Sequence, residues 1–205
     1  MPGTKIAEAL RREQIIRAAC ELATRHGLQT MTIRDVARVA ETSPGLVIFH
    51  FGTKERLVLA MLDSVLDATV SLTAGPEILA IEDPLDRLIA LVRQELSRVL
   101  RSPRSNRVFL ELWTQGPSMR GVRTRMQRAL DRYREAFRPF ISDVLHAYPD
   151  RFAGVSIASL TTIIVSLVKG AALQSLVETR LDVDGILTAA ERVLTVPAPA
   201  STAPA

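Results

Sequence analysis

The residue types that carry out catalysis or hold metals are few and scattered in this chain. Cys20 is the single cysteine among 205 residues, and the three histidines, His26, His50 and His146, lack the spacing of metal ligands. Serines are present, but no nucleophile elbow, phosphate-binding loop or paired-carboxylate motif accompanies them. The sequence therefore predicts no catalytic residue, no bound metal and no cofactor.

Capping residues divide the N-terminal part of the chain into helices. A helix over about 5–26 is followed by a second that Thr32 caps and a third that Ser43 caps, with a short break between them. Thr53 caps a long connecting helix that continues to about Leu72. Three helices in this order predict a helix-turn-helix, which inserts its third helix into the major groove of DNA.

The stretch from Thr32 to Leu57 reads TIRDVARVAETSPGLVIFHFGTKERL and resembles the DNA-binding signature of the TetR family of bacterial regulators. The matching positions are Thr32, Val36-Ala37, Ala40, Ser43, Gly45, His50-Phe51, Lys54-Glu55 and Leu57. The rest of the chain matches only as an all-helical regulatory domain. The resemblance implies a homodimeric repressor that binds a palindromic operator in double-stranded DNA and responds to a small-molecule effector.

Resemblance and side-chain chemistry together suggest which residues contact DNA. Phosphates would be held by Thr32, His50 and Lys54, because each lies at a helix end and can donate a hydrogen bond. Base edges would be read from the second and third helices, with Arg34 either taking a guanine or remaining a solvated charge. The predicted DNA-binding residues are Thr32, Arg34, Ser43, Pro44, Gly45, Leu46, Phe49, His50 and Lys54. Further contacts would come from the leading segment, through Lys5, Arg11 and Arg12.

The sequence departs from the family pattern at two positions. Glu41 stands where the family usually has the glycine of the helix-turn-helix turn, so the turn either needs no positive φ or is slightly strained. Ile48 stands where a tyrosine usually precedes His-Phe, which removes a phenol that can contact a phosphate. We therefore expect fewer backbone contacts from the third helix itself.

Proline, glycine and capping residues predict helices throughout the remaining chain, and the fold class is all-α. The expected helices cover about 84–101, 104–115, 118–147, 151–179 and 185–195. We predict a DNA-binding domain at 1–52, a helical ligand-binding and dimerisation domain at 53–196, and a disordered tail at 197–205 that is rich in Ala, Pro, Ser and Thr. The dimer interface is expected to be a four-helix bundle of 155–178 and 185–195 from both chains.

Large and pliable side chains in the regulatory part either fill an ordinary core or line an apolar effector pocket. The candidates for effector contact are Phe109, Trp113, Met126, Tyr133 and Phe137. Eleven arginines between Arg98 and Arg138 lie mostly off the apolar stripe, which predicts a solvated face, with a pocket for an anionic effector as the alternative.

The cysteine count and the N-terminal sequence predict a cytoplasmic protein. The lone cysteine excludes an intrachain disulfide, and the N-terminal residues lack the pattern of a secretory signal. Residues 153–177 are long enough to span a bilayer, but their many hydroxyl side chains and Lys169 favour a buried helix of a soluble bundle. The net charge of +4 permits nucleic acid as a partner without requiring it.

A second interpretation belongs to another functional class. The chain could be a helical small-molecule-binding protein or an enzyme whose N-terminal resemblance is accidental. This interpretation would leave the cluster of matches between Thr32 and Leu57 unexplained, and it would need a catalytic group that the sequence does not show.

Overall fold

The computed structural model describes residues 2–70, 72–115, 119–178 and 180–195, and these residues form ten α-helices and no strand. The all-α prediction is confirmed. The helices are α1 (Pro2–His26), α2 (Ile33–Val39), α3 (Pro44–Phe51), α4 (Lys54–Thr69), α5 (Pro76–Leu79), α6 (Pro84–Leu100), α7 (Pro103–Gln115), α8 (Arg120–Ala147), α9 (Ile157–Gln174) and α10 (Val183–Thr195). The predicted tail at 197–205 and the side chain of Lys5 lie outside the described residues.

Three hydroxyl side chains start the helices of the N-terminal part. Thr32, Ser43 and Thr53 each have extended backbone and accept a hydrogen bond from the backbone N–H three residues later, with N to O distances of 3.2, 3.1 and 3.2 Å. Each bond satisfies one of the backbone donors that a helix start leaves without a partner inside the helix. The predicted caps are therefore confirmed.

Several helix bounds differ from the sequence-based ones. The helix expected over 151–179 is only Ile157–Gln174, because Gly154 turns the chain with φ of 78° and Ser156 then caps the helix. The connecting helix ends at Thr69 instead of Leu72. The four-residue helix α5 was not predicted, since so short a segment shows no periodicity.

The described residues divide into two units. The first consists of Met1–Ser71 with Arg104–Leu130, and its buried core includes Ile15, Ala19, Val47, Leu57, Met61, Leu112 and Val122. The second consists of Leu72–Pro103 with Asp131–Ala205, and its core includes Leu88, Leu91, Leu96, Phe137, Ile141, Ile164 and Val168. The first unit thus contains α4 and α7 in addition to α1–α3. The boundary between the DNA-binding and regulatory domains at residue 52 remains a prediction.

Helix α9 is long and apolar enough, by length and composition, to cross a membrane, and 39% of it is buried in the protein. Its buried face packs on α6 and includes Leu160, Ile164 and Val168. On the opposite face Ile163 is 63% exposed, and Leu173 is exposed as well. The surface of α9 is therefore apolar beyond what its own chain covers.

Glu41 adopts a left-handed conformation, with φ of 50°, in the turn between α2 and α3. The turn thus requires a positive φ, and the strained alternative for this departure from the family glycine is the correct one. A left-handed non-glycine residue costs about 1–2 kcal/mol, and a glycine in its place loses about 0.5–1 kcal/mol in backbone entropy.

We therefore expect Glu41→Gly to raise the free energy of unfolding by about 0.5–1 kcal/mol. Urea denaturation followed by circular dichroism measures this change. Thr42→Gly is the matched control, because its φ is not positive and glycine there should lower the stability. A loss of stability in both variants would show that the turn stores no strain at Glu41.

Candidate DNA-binding surface

Helix α3 exposes one face and buries the other. Val47 and Phe51 are buried in the first unit, whereas Ile48 is exposed and Phe49 has 76% of its surface exposed. An aromatic side chain with this exposure has no role in the core of its own chain. The exposed side of α3 is therefore a surface available to a partner.

The predicted DNA-binding residues all belong to the first unit. Their exposed members are Thr32, Arg34, Ser43, Pro44, Gly45 and Phe49, and their partly buried members are Leu46, His50 and Lys54. Every one of them thus reaches the surface of α2, α3 or the start of α4. Their contacts with DNA remain predictions.

Two of the predicted phosphate-binding side chains already make polar contacts within the chain. The Thr32 hydroxyl donates to Asp35 Oδ2 at 2.6 Å, and this bond, with Arg38 Nη2 at 3.2 Å from Asp35 Oδ1, lowers the pKa of Asp35. Lys54 Nζ donates to the Gln29 carbonyl oxygen at 3.2 Å. An ammonium has three donors, so this bond leaves Lys54 able to contact a phosphate as well.

Arg12 on α1 holds the end of α3, a role that sequence reasoning did not assign to it. Its Nη1 donates to the His50 carbonyl oxygen at 2.8 Å, and its guanidinium lies 4.3 Å from the centroid of the Phe51 ring. A cation is favourable at a helix C-terminus, where carbonyl oxygens lack partners inside the helix. Because the contact joins residues 38 apart, no local spacing in the sequence reveals it.

A cleft of about 460 Å³ in the same unit is lined by residues of α1, α3, α4 and α8. Its lining includes Arg12, His50, Arg56 and Arg125, against one carboxylate, Asp63. Arg125 Nε is 2.9 Å from Asp63 Oδ1, which connects α8 to α4. The excess of positive charge makes Arg56, at the start of α4, an additional candidate for a phosphate contact.

The candidate effector-binding residues form two groups. On α7, the rings of Phe109 and Trp113 have centroids 5.5 Å apart, and Trp113 is exposed; Met126 is buried on α8 in the same unit. Tyr133 and Phe137 are fully buried in the second unit, with centroids 5.3 Å apart and rings nearly perpendicular. Contact of either group with an effector remains a prediction.

Charged side chains, of which Glu95 is fully buried, cluster around the buried Tyr133 in the second unit. Glu95 on α6 has no exposed surface, and it accepts the Tyr133 hydroxyl on Oε1 at 2.5 Å. Arg98 donates to both carboxylate oxygens, from Nε to Oε2 at 2.8 Å and from Nη2 to Oε1 at 2.5 Å. Lys169 on α9 places Nζ 4.8 Å from the centroid of the Tyr133 ring. We call Glu95, Arg98, Tyr133 and Lys169 the Glu95 cluster.

The Glu95 cluster alters the titration of its members. Burial and the neighbouring carboxylate raise the pKa of Tyr133, so its hydroxyl stays neutral. Burial lowers the pKa of Lys169 to about 8, with Glu95 opposing this shift and Arg98 adding to it. The hydrogen bond to Glu95 raises the pKa of Arg98. In the sequence, Lys169 stands out as the single charge within 153–177, and Tyr133 is one of the candidate effector contacts.

Neither metal binding nor thiol chemistry finds support in the described part of the chain. Within residues 2–70, 72–115, 119–178 and 180–195, no three His, Cys, Asp or Glu side chains stand close enough to hold a metal ion. Burial raises the pKa of Cys20 to about 11, which disfavours the reactive thiolate. Cys20 therefore acts as a small apolar side chain.

Two family models match the chain. Residues 15–61 match the model described as bacterial regulatory proteins, tetR family, which covers the second half of α1, all of α2 and α3, and the first half of α4. Residues 84–196 match the model described as BetI-type transcriptional repressor, C-terminal, which accounts for more than half of the chain.

Curated relatives of this chain include proteins named HTH-type transcriptional regulator BetI. The protein from Stenotrophomonas maltophilia is 31% identical over 127 residues, which cover 62% of this chain and 64% of the relative. The protein from Burkholderia lata is 32% identical over 115 residues, which cover 56% of this chain and 59% of the relative. The matches thus span about three fifths of the lengths of these relatives.

Solved structures share the fold over most of the chain. A putative transcriptional regulator from Saccharomonospora viridis, in complex with choline, has a TM-score of 0.69 at 23% identity, with 91% of this chain and 96% of that chain covered. A TetR transcription regulator from Haloarcula marismortui has the same TM-score and identity, with 91% and 95% covered. With both family models matched and the fold shared, the chain belongs to the TetR family of bacterial regulatory proteins.

Proposed function

We propose that the protein is a DNA-binding transcriptional repressor that a small-molecule effector releases from a palindromic operator. The observation that carries the proposal is the exposed face of α3, with Phe49 at its centre, within the part that matches the tetR model. The description of the C-terminal model as a repressor favours repression over activation. The accidental-resemblance interpretation is contradicted, since the matches cover both parts of the chain.

The operator contacts follow from the position of α3. An α-helix with exposed Ser43, Pro44 and Phe49 fits the major groove, where hydroxyl and apolar groups contact base edges and thymine methyls. Thr32, His50 and Lys54 would set the register on phosphates, and Arg34 would read a base edge from α2. In this assignment the residues that contact base edges determine the sequence preference, and the residues that contact phosphates determine the general affinity for DNA.

A homodimer provides the second copy of α3 that a palindrome requires. The exposed face of α9 supports this assembly because it combines small residues, such as Ala158 and Thr162, with the exposed Ile163 and Leu173. A two-fold pairing of α9 and α10 with the same helices of a second chain would form a four-helix bundle and cover this face. Half-sites would then lie about one helical turn, ~34 Å, or somewhat more apart.

Release requires an effector that binds the conformation with lower operator affinity. Coupling of this kind typically amounts to ~1–3 kcal/mol, or about a 5–150-fold loss of operator affinity. The relatives are named as transcriptional regulators, which supports a regulator without catalysis. A regulator that binds DNA would work in the cytoplasm.

A gel-shift assay with the DNA that flanks the protein's own gene tests the proposal. A labelled fragment with a palindrome should shift at nanomolar protein, and an unrelated fragment of equal length should need far more protein. Equal affinity for both fragments at physiological salt would reject sequence-specific repression.

Lys54→Ala should weaken operator binding about tenfold and lower the slope of log affinity against log salt by about one unit, since one phosphate contact is lost. Fluorescence anisotropy at four salt concentrations measures both quantities. The preference among operator variants should stay unchanged, whereas Phe49→Ala should change that preference and keep the salt slope. Arg25→Ala, an exposed cation on α1, is the control. A changed preference with an unchanged slope for Lys54→Ala would reverse the roles assigned to these residues.

A further inference from the structure

The cleft of about 460 Å³ at the end of α3, which we call the α3 cleft, keeps an excess of positive charge after its ion pair is counted. Arg125 on α8 and Asp63 on α4 neutralise each other, with Arg125 Nε 2.9 and 3.2 Å from the two carboxylate oxygens. Asp63 is the one carboxylate among the described residues that line the cleft. The lining therefore offers no carboxylate to offset the charges of Arg12 and Arg56.

Arg56 is the guanidinium of the α3 cleft that is placed to bind a partner. Its side chain is exposed and makes no hydrogen bond or ion pair within the described part of the chain. It lies over Gly52, the residue that follows α3, because a Cβ atom placed on Gly52 would be 3.5 Å from Arg56 Nη1. Arg12, in contrast, already donates to the His50 carbonyl oxygen. Arg56 thus presents its N–H donors to solvent beside the end of α3.

Lys54 and Arg56 point to different sides of the start of α4. Residues two apart on an α-helix are separated by about 200° around the helix axis. Lys54 Nζ accordingly donates to the Gln29 carbonyl oxygen, in the loop before α2, at 3.2 Å. Arg56 instead lies over Gly52 at the end of α3. The two side chains would therefore meet different phosphates of a bound duplex.

The position of the α3 cleft favours DNA as its partner. Phe49, a predicted base contact with 76% of its surface exposed, lines the same cleft as Arg56. A helix in the major groove, which is about 12 Å wide, has a phosphate backbone at both edges. When Phe49 reaches a base, the exposed guanidinium beside it comes close to one of these backbones. A guanidinium binds a phosphate through paired N–H donors.

We propose that the α3 cleft holds a second phosphate of the DNA backbone, which Arg56 contacts, and that Arg125 keeps the cleft attractive to this phosphate by neutralising Asp63. Helix α8 thereby influences DNA affinity without touching the duplex. The choice of DNA as the partner rests on the proposed function. The contact itself reads no sequence, so an unrelated duplex tests it as well as an operator does.

Arg56→Gln removes the charge and should weaken DNA binding about tenfold, by the same factor for the operator and for an unrelated duplex. The slope of log affinity against log salt should fall by about one unit. Arg56→Lys keeps the charge and should keep the slope. Arg25→Ala is the matched control, because Arg25 is an exposed cation of the same unit, and it should change neither quantity. Fluorescence anisotropy at four salt concentrations measures both.

Operators that carry a single methylphosphonate, in which one phosphate is neutral, locate the contact. Neutralising the phosphate that Arg56 contacts should weaken binding of the unaltered protein about tenfold and should have little further effect on Arg56→Gln. The phosphate found in the same way with Lys54→Ala should be a different one. One phosphate shared by both variants would contradict the separate site.

The charge of the cleft is tested by two substitutions with opposite effects. Arg125→Gln leaves Asp63 without its cation and should weaken DNA binding about two- to fivefold, whereas Asp63→Asn should strengthen it by a similar factor. The double variant removes both charges and should bind as the unaltered protein does. Both side chains are partly exposed, so the unfolding midpoints should change little. Weaker binding by Asp63→Asn would reject the role given to Arg125.

An unchanged salt slope in Arg56→Gln, or a slope that Arg56→Lys lowers equally, would overturn the phosphate contact. Calorimetry with sodium pyrophosphate tests a small anion as the occupant. Pyrophosphate binding that Arg56→Gln abolishes, with the DNA slope unchanged, would assign the cleft to such an anion instead. If Arg56→Gln failed to fold, the opposite effects of Asp63→Asn and Arg125→Gln would decide.

The two duplexes separate failure of this site from failure of the proposed function. A protein that binds both duplexes equally, with a slope that Arg56→Gln lowers, retains the phosphate site and loses the repressor function. A protein that prefers its operator, with a slope that Arg56→Gln leaves unchanged, retains the function and loses the site.

Discussion

Replacing Arg98 by methionine should lower the free energy of unfolding by about 3 kcal/mol. Glu95 has no exposed surface, and the substitution removes the guanidinium that donates to both of its oxygens. A buried carboxylate that loses its paired cation is no longer compensated for most of the cost of leaving water, although the Tyr133 hydroxyl still donates to it. The value lies at the lower end for broken buried pairs because Arg98 itself is partly exposed. Urea denaturation at pH 7 measures the change.

Two further variants show whether burial is the cause. Arg138→Met breaks an ion pair with the same three-residue spacing, but both partners are exposed, so the denaturation midpoint should not change measurably. Glu95→Gln combined with Arg98→Met should recover part of the loss, because the amide oxygen still accepts the Tyr133 hydroxyl and no carboxylate is left buried without its paired guanidinium. Equal losses in Arg98→Met and Arg138→Met would contradict the argument.

Ile163→Arg should convert the proposed dimer into monomers at micromolar concentration. Ile163 is 63% exposed on α9, and a guanidinium there would be buried without a partner in the proposed four-helix bundle. Operator affinity should fall about a hundredfold or more, because the two DNA-binding units would no longer be linked. Light scattering after size exclusion and fluorescence anisotropy measure the two effects.

Leu79→Arg is the control for this substitution. Leu79 is exposed on α5, outside the proposed interface, and its replacement should leave both the dimer and operator affinity unchanged. If Ile163→Arg remained a dimer while Leu79→Arg dissociated, the interface would involve α5 instead of α9.

The sequence alone determined the helices whose signals are local. Thr32, Ser43 and Thr53 each accept a hydrogen bond from a backbone N–H three residues away, so their types and spacing were sufficient to place the starts of α2, α3 and α4. The start of α9 was missed because the apolar pattern continues backwards past Ser156, and Gly154 interrupts the chain without breaking that pattern. Capping residues thus located the helix starts more accurately than the apolar pattern did.

Sequence and resemblance also predicted which part of the chain presents the candidate DNA-binding residues. All nine retain surface exposure on α2, α3 or the start of α4, as expected where short capped helices leave one face to solvent. For Glu41 the sequence left two alternatives, and the choice needed the backbone dihedral of 50°. The conformation of a turn depends on the two helices that it must join.

Only the tertiary structure brought together the side chains of the Glu95 cluster and placed Arg12 on the end of α3. The Tyr133 to Glu95 and Arg12 to His50 contacts each join residues 38 apart in the chain. Tyr133 appeared in the sequence as one of five candidate effector residues, yet it lies in a different unit from Phe109, Trp113 and Met126. Helical periodicity shows which face of a helix is apolar, but the packing of α6 with α9 decides which charges meet there.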